Sequence, residues 1–189
     1  KCGAGAFMKT RAEARSLAES LVAIGTAQGV RTEALLTAMD APLGNAVGNA
    51  LEVVECLETL KGRGPAAVEE LSVLLAVRMV LLGGVAATPE EAERKVRAAL
   101  TSGRGLEKLR AVIAQQGGDA RAIDDYGRLP AAPHQDFLRA GRAGYVHAFD
   151  AGRVGRAAVL LGAGGDRVED AIDPGVGALV LVRRGEQVK

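Results

Sequence analysis

The sequence has few aromatic, cysteine and histidine residues, and each shortage excludes a class of protein. Aromatic residues make up 3% of the 189 residues and Trp is absent, which argues against a nucleic-acid surface built from stacked rings. Cys2 and Cys56 are the only cysteines; they are too few for a disulfide framework and indicate a reducing compartment. The two histidines, His134 and His147, lie far from both cysteines, so spacing predicts no zinc-type cluster.

Net charge and long apolar runs are also lacking. The 24 basic and 23 acidic side chains leave a formal charge of +1, so no net field favours nucleic acid or a membrane surface. No run of about 18 apolar residues exists to span a bilayer, and no signal-peptide pattern is visible. The sequence opens on Lys1 and stops at Lys189 within a predicted strand and turn, so we expect a piece of a longer chain.

Helical periodicity and capping signals dominate the first 118 residues. Thr10 and Glu13 form a capping box, and Thr88-Pro89-Glu90-Glu91 combines an N-cap, an N1 proline and an N3 glutamate. These signals and the apolar spacing predict five helices. Their approximate ranges are 11–28, 49–60, 65–82, 89–101 and 105–116. A buried strand is predicted between the first two, over Arg31–Met39.

The pattern changes near residue 140, where short apolar runs alternate with glycine-rich turns. The runs at 145–149, 157–161 and 178–182 predict strands, separated by turns at 162–166 and 173–177. The sequence therefore predicts an α/β fold, in which a helix-rich part of a mixed-sheet domain is followed by a small β-rich lobe. We place the boundaries at 1–118 for the first part, 119–139 for a connecting segment and 140–189 for the lobe.

Two segments could carry chemistry. The glycine-rich stretch from Lys1 to Met8 is either a tight turn before a helix or a turn whose free amides face an anion; it lacks the Lys-Ser/Thr of a P-loop. The second segment, from Asp40 to Glu55, sets two Asn and two Gly among three acids. It predicts either a hard-cation site built from oxygen ligands or an Asn/Gly turn beside a solvated pair of glutamates.

The order of residues in these segments resembles a known family. Residues 1–9 read Lys-x-Gly-Ala-Gly-Ala-Phe-Met-Lys, and residues 36–53 read Leu-Thr-Ala-Met-Asp-x-Pro-Leu-Gly-x-Ala-Val-Gly-Asn-Ala-Leu-Glu-Val. Agreement continues through 58–65, 114–119, 161–164 and 172–177. The chain closely resembles the bacterial pyrimidine-nucleoside and thymidine phosphorylases over essentially its whole length.

The resemblance implies a function for the intact protein. These cytoplasmic homodimers cleave pyrimidine nucleosides with phosphate, as co-substrate, to give a free base and a pentose 1-phosphate, without an organic cofactor. Their phosphate loop, their proton-donating His and their base-holding Arg, Ser and Lys lie upstream of the matched region. We therefore expect no catalytic residue in this chain and no activity from it alone.

The resemblance also assigns four positions. Phe7 matches the phenylalanine that lines the base side of the nucleoside pocket. Leu43, Ala46 and Glu55 match positions that bind a potassium ion, with Leu43 and Ala46 acting through main-chain carbonyls and Glu55 through its carboxylate. Cys2 stands where the family usually has Thr or Val.

Three alternatives remain at this point. One is a phosphorylase of a different nucleoside or of a nucleotide such as AMP, and another is a non-catalytic binding module. The third follows from the C-terminal part, whose opening at Gly144 and close at Gly185–Lys189 resemble the barrel-sandwich of biotinyl and lipoyl carriers. A carrier needs a lysine at a hairpin tip, and residues 141–188 contain no lysine.

Overall fold

The computed structural model describes all 189 residues, in six helices and four short strands. The helices are α1 (Arg11–Ala27), α2 (Asn49–Leu60), α3 (Ala66–Leu82), α4 (Pro89–Thr101), α5 (Arg104–Gln115) and α6 (Ala151–Leu160). The strands are β1 (Ala46–Gly48), β2 (Gly144–Tyr145), β3 (Gly177–Leu179) and β4 (Gln187–Val188). Two 3-10 turns, Ala120–Ile123 and Tyr126–Arg128, follow α5. None of the helices has the length and apolar character of a transmembrane span.

Local capping explains where the predicted helices begin. The Thr10 hydroxyl accepts from the backbone amide of Glu13, and the Glu13 carboxylate accepts in return from the amide of Thr10. The Thr88 hydroxyl caps α4 by accepting from the amide of Glu91, whose carboxylate accepts from the amide of Ala87. Each cap satisfies amides that the first helical turn leaves without a partner. All five helices predicted in the first part are confirmed, with bounds that differ by at most one residue.

Two small antiparallel sheets connect distant parts of the chain. β1 pairs with β3, with Ala46 opposite Leu179 and Gly48 opposite Gly177, and β2 pairs with β4. The β1–β3 contact needs glycine: a Cβ on Gly177 would lie 2.3 Å from the Val47 carbonyl oxygen. The helices and sheets together confirm the predicted α/β class.

Two of the predicted strands are wrong. Arg31–Met39 forms no strand, and only Ala38 makes a bridge, to Cys2, because a single short neighbouring segment is available to pair with it. Residues 157–161 belong to α6 and the turn after it. The Asp150 side chain caps this helix by accepting from the Arg153 amide, and the apolar run is the second half of an Ala-rich helix. Of the run at 145–149, only Tyr145 lies in a strand.

The core is small for a chain of this size. Only 16 of 189 residues are buried, and most of these are alanines and valines. Leu57 on α2 and Ile123 are the only large side chains that are fully enclosed. A second cluster joins α3 and α4 through Val73, Val77 and Ala92. Many large apolar side chains therefore remain at the surface, among them Leu43 at a cleft beside α2 and α3.

Candidate functional site

The glycine-rich loop at the start of the chain is held by hydrogen bonds within the protein. Its amides donate to Thr37 O, Met8 O, Met39 O and Gly3 O, and that of Ala4 donates to the Asp40 carboxylate. The Lys9 ammonium donates to the Ala4 carbonyl at 2.9 Å. Because every amide from residue 2 to residue 6 has an internal acceptor, none is free to bind an anion. The structure therefore supports the tight-turn interpretation of this loop.

Asp40 joins this loop to the C-terminal half of the chain. Its Oδ1 accepts from Ala4 N at 3.3 Å, and its carbonyl accepts from Ala151 N, at the start of α6, at 2.9 Å. Gly3 fits against Asp40 only as glycine: its φ is +122°, and a Cβ there would lie 2.6 Å from Asp40 Oδ1. The Gly and Asp positions of the two sequence motifs thus contact each other directly.

Phe7 extends outward from this anchored loop. Its side chain is 93% exposed, although both flanking segments are fixed by the bonds just described. An exposed apolar ring on a fixed turn loses its water contact only when another molecule or segment covers it. The sequence-predicted substrate contact is therefore accessible in this chain.

Glu55 lies on α2 with its carboxylate against the turn that precedes β1. Its Oε1 accepts from Asn45 N at 2.7 Å and from Ala46 N at 3.0 Å. Gly44 passes so close that a Cβ there would overlap Oε2, at 1.8 Å. Glu55 is half-buried and bonded to backbone, so it is not a member of the solvated pair of glutamates that the plain-turn alternative predicted.

Glu52, one helical turn earlier on α2, also accepts a hydrogen bond from the backbone of β1. Its Oε1 accepts from Gly48 N at 3.0 Å. In an antiparallel pair, alternate residues direct both N–H and C=O away from the partner strand. Since Ala46 and Gly48 donate to α2 and not to β3, the carbonyl of Ala46 also faces the side on which Glu55 lies.

A cleft of about 700 Å³ brings three of the predicted site residues together. Leu43, Ala46 and Glu55 all line it, and apolar side chains form more than half of its wall. The Leu43 carbonyl and the Glu55 Oε2 accept no hydrogen bond in the chain. Phe7 does not line this cleft, so the structure does not bring it to the other three residues.

A second polar cluster fixes the end of α2 against the 3-10 turns. Lys61 Nζ donates to the Ile123 carbonyl at 2.5 Å and to Tyr126 Oη at 2.9 Å, and its ammonium lies 4.6 Å from the centre of the Tyr126 ring. Tyr126 in turn donates to the Glu58 carboxylate. Glu58 and Lys61, from the motif at 58–65, thus hold the end of α2 against the 3-10 turns.

Arg63 completes this cluster through two 2.8 Å hydrogen bonds to Glu58. Donation from Arg63, with the Tyr126 hydroxyl adding to it, lowers the pKa of Glu58 to about 2. Sequence reasoning did not identify Tyr126, because a lone aromatic residue in a connecting segment carries no spacing signal. Its partner Lys61 lies within a motif of the resemblance and was the only available indication.

The remaining chemistry-bearing residues are dispersed. His134 and His147 are both exposed, and no group of three or more His, Cys, Asp or Glu side chains lies close enough to hold a metal ion. Both cysteines are free thiols, and burial raises the pKa of Cys56. The candidate cation site at Glu55 is therefore built from one carboxylate and from backbone carbonyl oxygens.

Comparison with known proteins extends over the whole chain. Curated pyrimidine-nucleoside phosphorylases from Bacillus subtilis and Staphylococcus aureus are each 43% identical to it, and one from Staphylococcus epidermidis is 41% identical. Each match covers all 189 residues but 44% of the relative, so the chain spans less than half the length of these proteins. The resemblance drawn from the sequence motifs is confirmed.

Two family models match separate parts of the chain. Residues 145–189 match the pyrimidine nucleoside phosphorylase C-terminal domain. Residues 1–106, more than half of the chain, match the a/b domain of a glycosyl transferase family. Because that match covers more than half of the chain, the chain belongs to this glycosyl transferase family.

Proposed function

We propose that this chain acts as part of a pyrimidine-nucleoside phosphorylase, a pentosyltransferase. The observation that carries the proposal is identity of 41–43% along every residue of the chain to proteins of that name. The match to the C-terminal domain of the same enzymes supports it independently. The substrates are then a pyrimidine nucleoside and inorganic phosphate.

The reaction exchanges one bond at the anomeric carbon for another. The bond from the sugar to the base nitrogen breaks, the base leaves with the bonding electrons and takes a proton, and a phosphate oxygen bonds to the same carbon. Such a displacement depends on positioning and on stabilising the developing charges. None of the residues of this chain is assigned to the bond exchange; its contribution is the shape of the pocket and a charged support beside it.

Phe7 is the proposed contact to the base. Its ring is exposed on a turn whose backbone amides from residue 2 to residue 6 are bonded internally, which holds that backbone in place while leaving the ring face open. A flat apolar surface suits the face of a pyrimidine, and the backbone that is already held in place loses little conformational entropy when the base packs on the ring.

Potassium is the proposed ion at the Glu55 turn, and the residues fit it. The Glu55 Oε2 and the Leu43 carbonyl accept no hydrogen bond, and the carbonyl of Ala46 faces the same side as Glu55. Hard cations prefer such carboxylate and carbonyl oxygens. A bound cation would neutralise the carboxylate and hold the turn before β1 against α2.

The family matches support the organisation that we propose for the chain. The two models match 1–106 and 145–189, which supports a first part at 1–118, a connecting segment at 119–139 and a C-terminal lobe at 140–189. We also propose a cytoplasmic homodimer for the intact enzyme; the two free thiols suit a reducing compartment.

A chimera tests the proposed function. The matched segment of the Bacillus subtilis enzyme is replaced by these 189 residues, and base release is followed with uridine, thymidine and AMP in phosphate buffer. The parental enzyme is the positive control and the 189-residue chain alone the negative control.

We expect the chimera to release uracil or thymine and the chain alone to release neither. Turnover of AMP without turnover of the pyrimidine nucleosides would support the nucleotide alternative instead. A folded chimera that is inactive with all three would contradict the proposal.

A further inference from the structure

Asn45 is the point at which the strand pairing of β1 gives way to the Glu55 carboxylate. Ala46 lies opposite Leu179 of β3, and the pairing extends one residue further, since Val180 N donates to the Asn45 carbonyl at 2.7 Å. In a regular antiparallel ladder, the Asn45 amide would donate back to the same partner. It donates instead to Glu55 Oε1, at 2.7 Å. Asn45 therefore joins the C-terminal lobe to the carboxylate of the candidate cation site.

The side chain of Asn45 makes a second contact with this lobe. Its Oδ1 accepts from Arg183 Nη2 at 3.2 Å. Arg183 begins a turn in which its amide donates to the Glu186 carboxylate and its carbonyl accepts from the Glu186 amide. Two backbone hydrogen bonds join this turn to Val146, one donated by Gly185 N and one accepted by Glu186 O. The backbone that carries Arg183 is therefore held in place.

These contacts occupy the oxygens of Asn45 and leave those of its neighbours open. The Asn45 carbonyl and Oδ1 each accept a hydrogen bond, whereas the Leu43 carbonyl and Glu55 Oε2 accept none. Leu43 and Ala46 both lie within two residues of Asn45, so a displacement of Asn45 would move their carbonyls. The placement of the oxygen ligands decides how well a site fits a given cation.

We propose that Asn45 and Arg183 are positioning residues of the cation site, through which the C-terminal lobe holds the two carbonyl ligands of the turn. This inference rests on the proposed potassium site at Glu55 and adds to it a dependence on the lobe. A pair that positions ligands changes the affinity for the ion. A pair that only attaches the lobe would change the stability equally with and without the ion.

The potassium-dependent stability of the chimera measures this affinity without using activity. The melting temperature is followed while potassium chloride replaces choline chloride at constant ionic strength, because an ion that binds only the folded state raises this temperature. The potassium concentration that gives half-maximal activation of uracil release is the second readout. Glu55→Ala in the same chimera tests the proposed site itself, so the site and its positioning can fail separately.

Side-chain variants remove each partner of the contact in turn. Asn45→Ala removes the acceptor and keeps the charge of Arg183, and Arg183→Ala removes the donor. Arg183→Lys is the conservative variant, since it keeps a charged donor. Arg184→Ala is the matched control, because Arg184 is exposed and it is Arg183 that donates to Asn45.

A second pair of variants addresses the backbone contact. Val180→Pro removes the amide that donates to the Asn45 carbonyl. Leu181→Pro is its matched control, because the Leu181 amide donates to no backbone carbonyl.

We expect Asn45→Ala and Arg183→Ala each to raise the potassium concentration for half-maximal stabilisation by about three- to ten-fold. Because the two substitutions remove the same hydrogen bond, the double variant should show the rise of one and not the product of both. Val180→Pro should raise the concentration at least as much. Arg183→Lys and the two controls, Arg184→Ala and Leu181→Pro, should stay within about two-fold of the unsubstituted chimera.

Three results would overturn the inference. The first is an affinity for potassium that Glu55→Ala abolishes but Asn45→Ala leaves unchanged, with any loss of melting temperature equal in both salts. The second is tighter potassium binding in Arg183→Ala, which would show that the guanidinium only repels the ion. The third is potassium stabilisation that survives in Glu55→Ala, which would reject the proposed site and this inference together.

Discussion

The contact between Gly44 and Glu55 gives the sharpest test of the candidate site. A Cβ on residue 44 would lie 1.8 Å from Glu55 Oε2, so Gly44→Ala must displace the carboxylate. Glu55 would then lose its bonds to Asn45 N and Ala46 N. Gly44 has no positive φ, so alanine can adopt its backbone conformation and the expected effect acts through Glu55 alone.

The expected magnitudes follow from these two bonds. A hydrogen bond to a charged group contributes about 1.5–3 kcal/mol when buried, and less when half-exposed; we expect Gly44→Ala and Glu55→Ala each to lower the free energy of unfolding by about 2 kcal/mol. In the double variant the alanine at 44 meets no carboxylate. The double variant should therefore lose about 2 kcal/mol of unfolding free energy, and not the sum of the two single losses, about 4 kcal/mol.

Urea unfolding at neutral pH measures this coupling in four proteins: the unsubstituted chain, Gly44→Ala, Glu55→Ala and the double variant. Glu52→Ala with Gly44→Ala is the matched control, since Glu52 binds Gly48 N and does not touch Gly44; these two effects should add. Additive losses for Gly44→Ala and Glu55→Ala would refute the reasoning, because they would mean that the turn is destabilised without displacing Glu55.

Three further predictions address the other parts of the account. Because the pKa of Glu58 is lowered in the folded chain, its ionised carboxylate stabilises the fold fully above the unfolded pKa of about 4.3, and this stability is lost as the pH falls toward 2. In Glu58→Gln, the midpoint of urea unfolding should therefore change less with pH over that window. A pH dependence equal to that of the unsubstituted chain would contradict the role of the cluster. In the chimera, Phe7→Ala should raise the KM for uridine about two- to ten-fold. Phe137→Ala removes another exposed ring and should leave this KM unchanged. Equal effects of the two substitutions would reject Phe7 as a contact to the base. Glu55→Ala should abolish activation of the chimera by potassium while Glu52→Ala retains it, and potassium activation that survives in both variants would reject the site.

Local signals account for what the sequence predicted well. The Thr10 and Thr88 caps each act within one helical turn, so the pattern of nearby residues determines where α1 and α4 begin. The strand expected at Arg31–Met39 failed for a non-local reason: strand formation depends on a partner, and only Ala38 finds one. Residues 157–160 formed a helix because the Asp150 cap precedes them.

The candidate site shows the same division. The sequence predicted that Glu55 lies near a glycine turn. It did not predict that one oxygen of the Glu55 carboxylate accepts hydrogen bonds from two backbone amides. Nor could it anticipate the contact of Asp40 with Gly3, since the two residues are brought together by tertiary structure. The residue types were therefore predictable, and their bonding was not.

The most direct measurement of the central claim is the phosphate dependence of uracil release from uridine by the chimera. The account predicts saturation with phosphate and formation of ribose 1-phosphate in a one-to-one ratio with uracil. Uracil release that is independent of phosphate and yields free ribose would show hydrolysis, and would contradict the assignment of these residues to a phosphorylase.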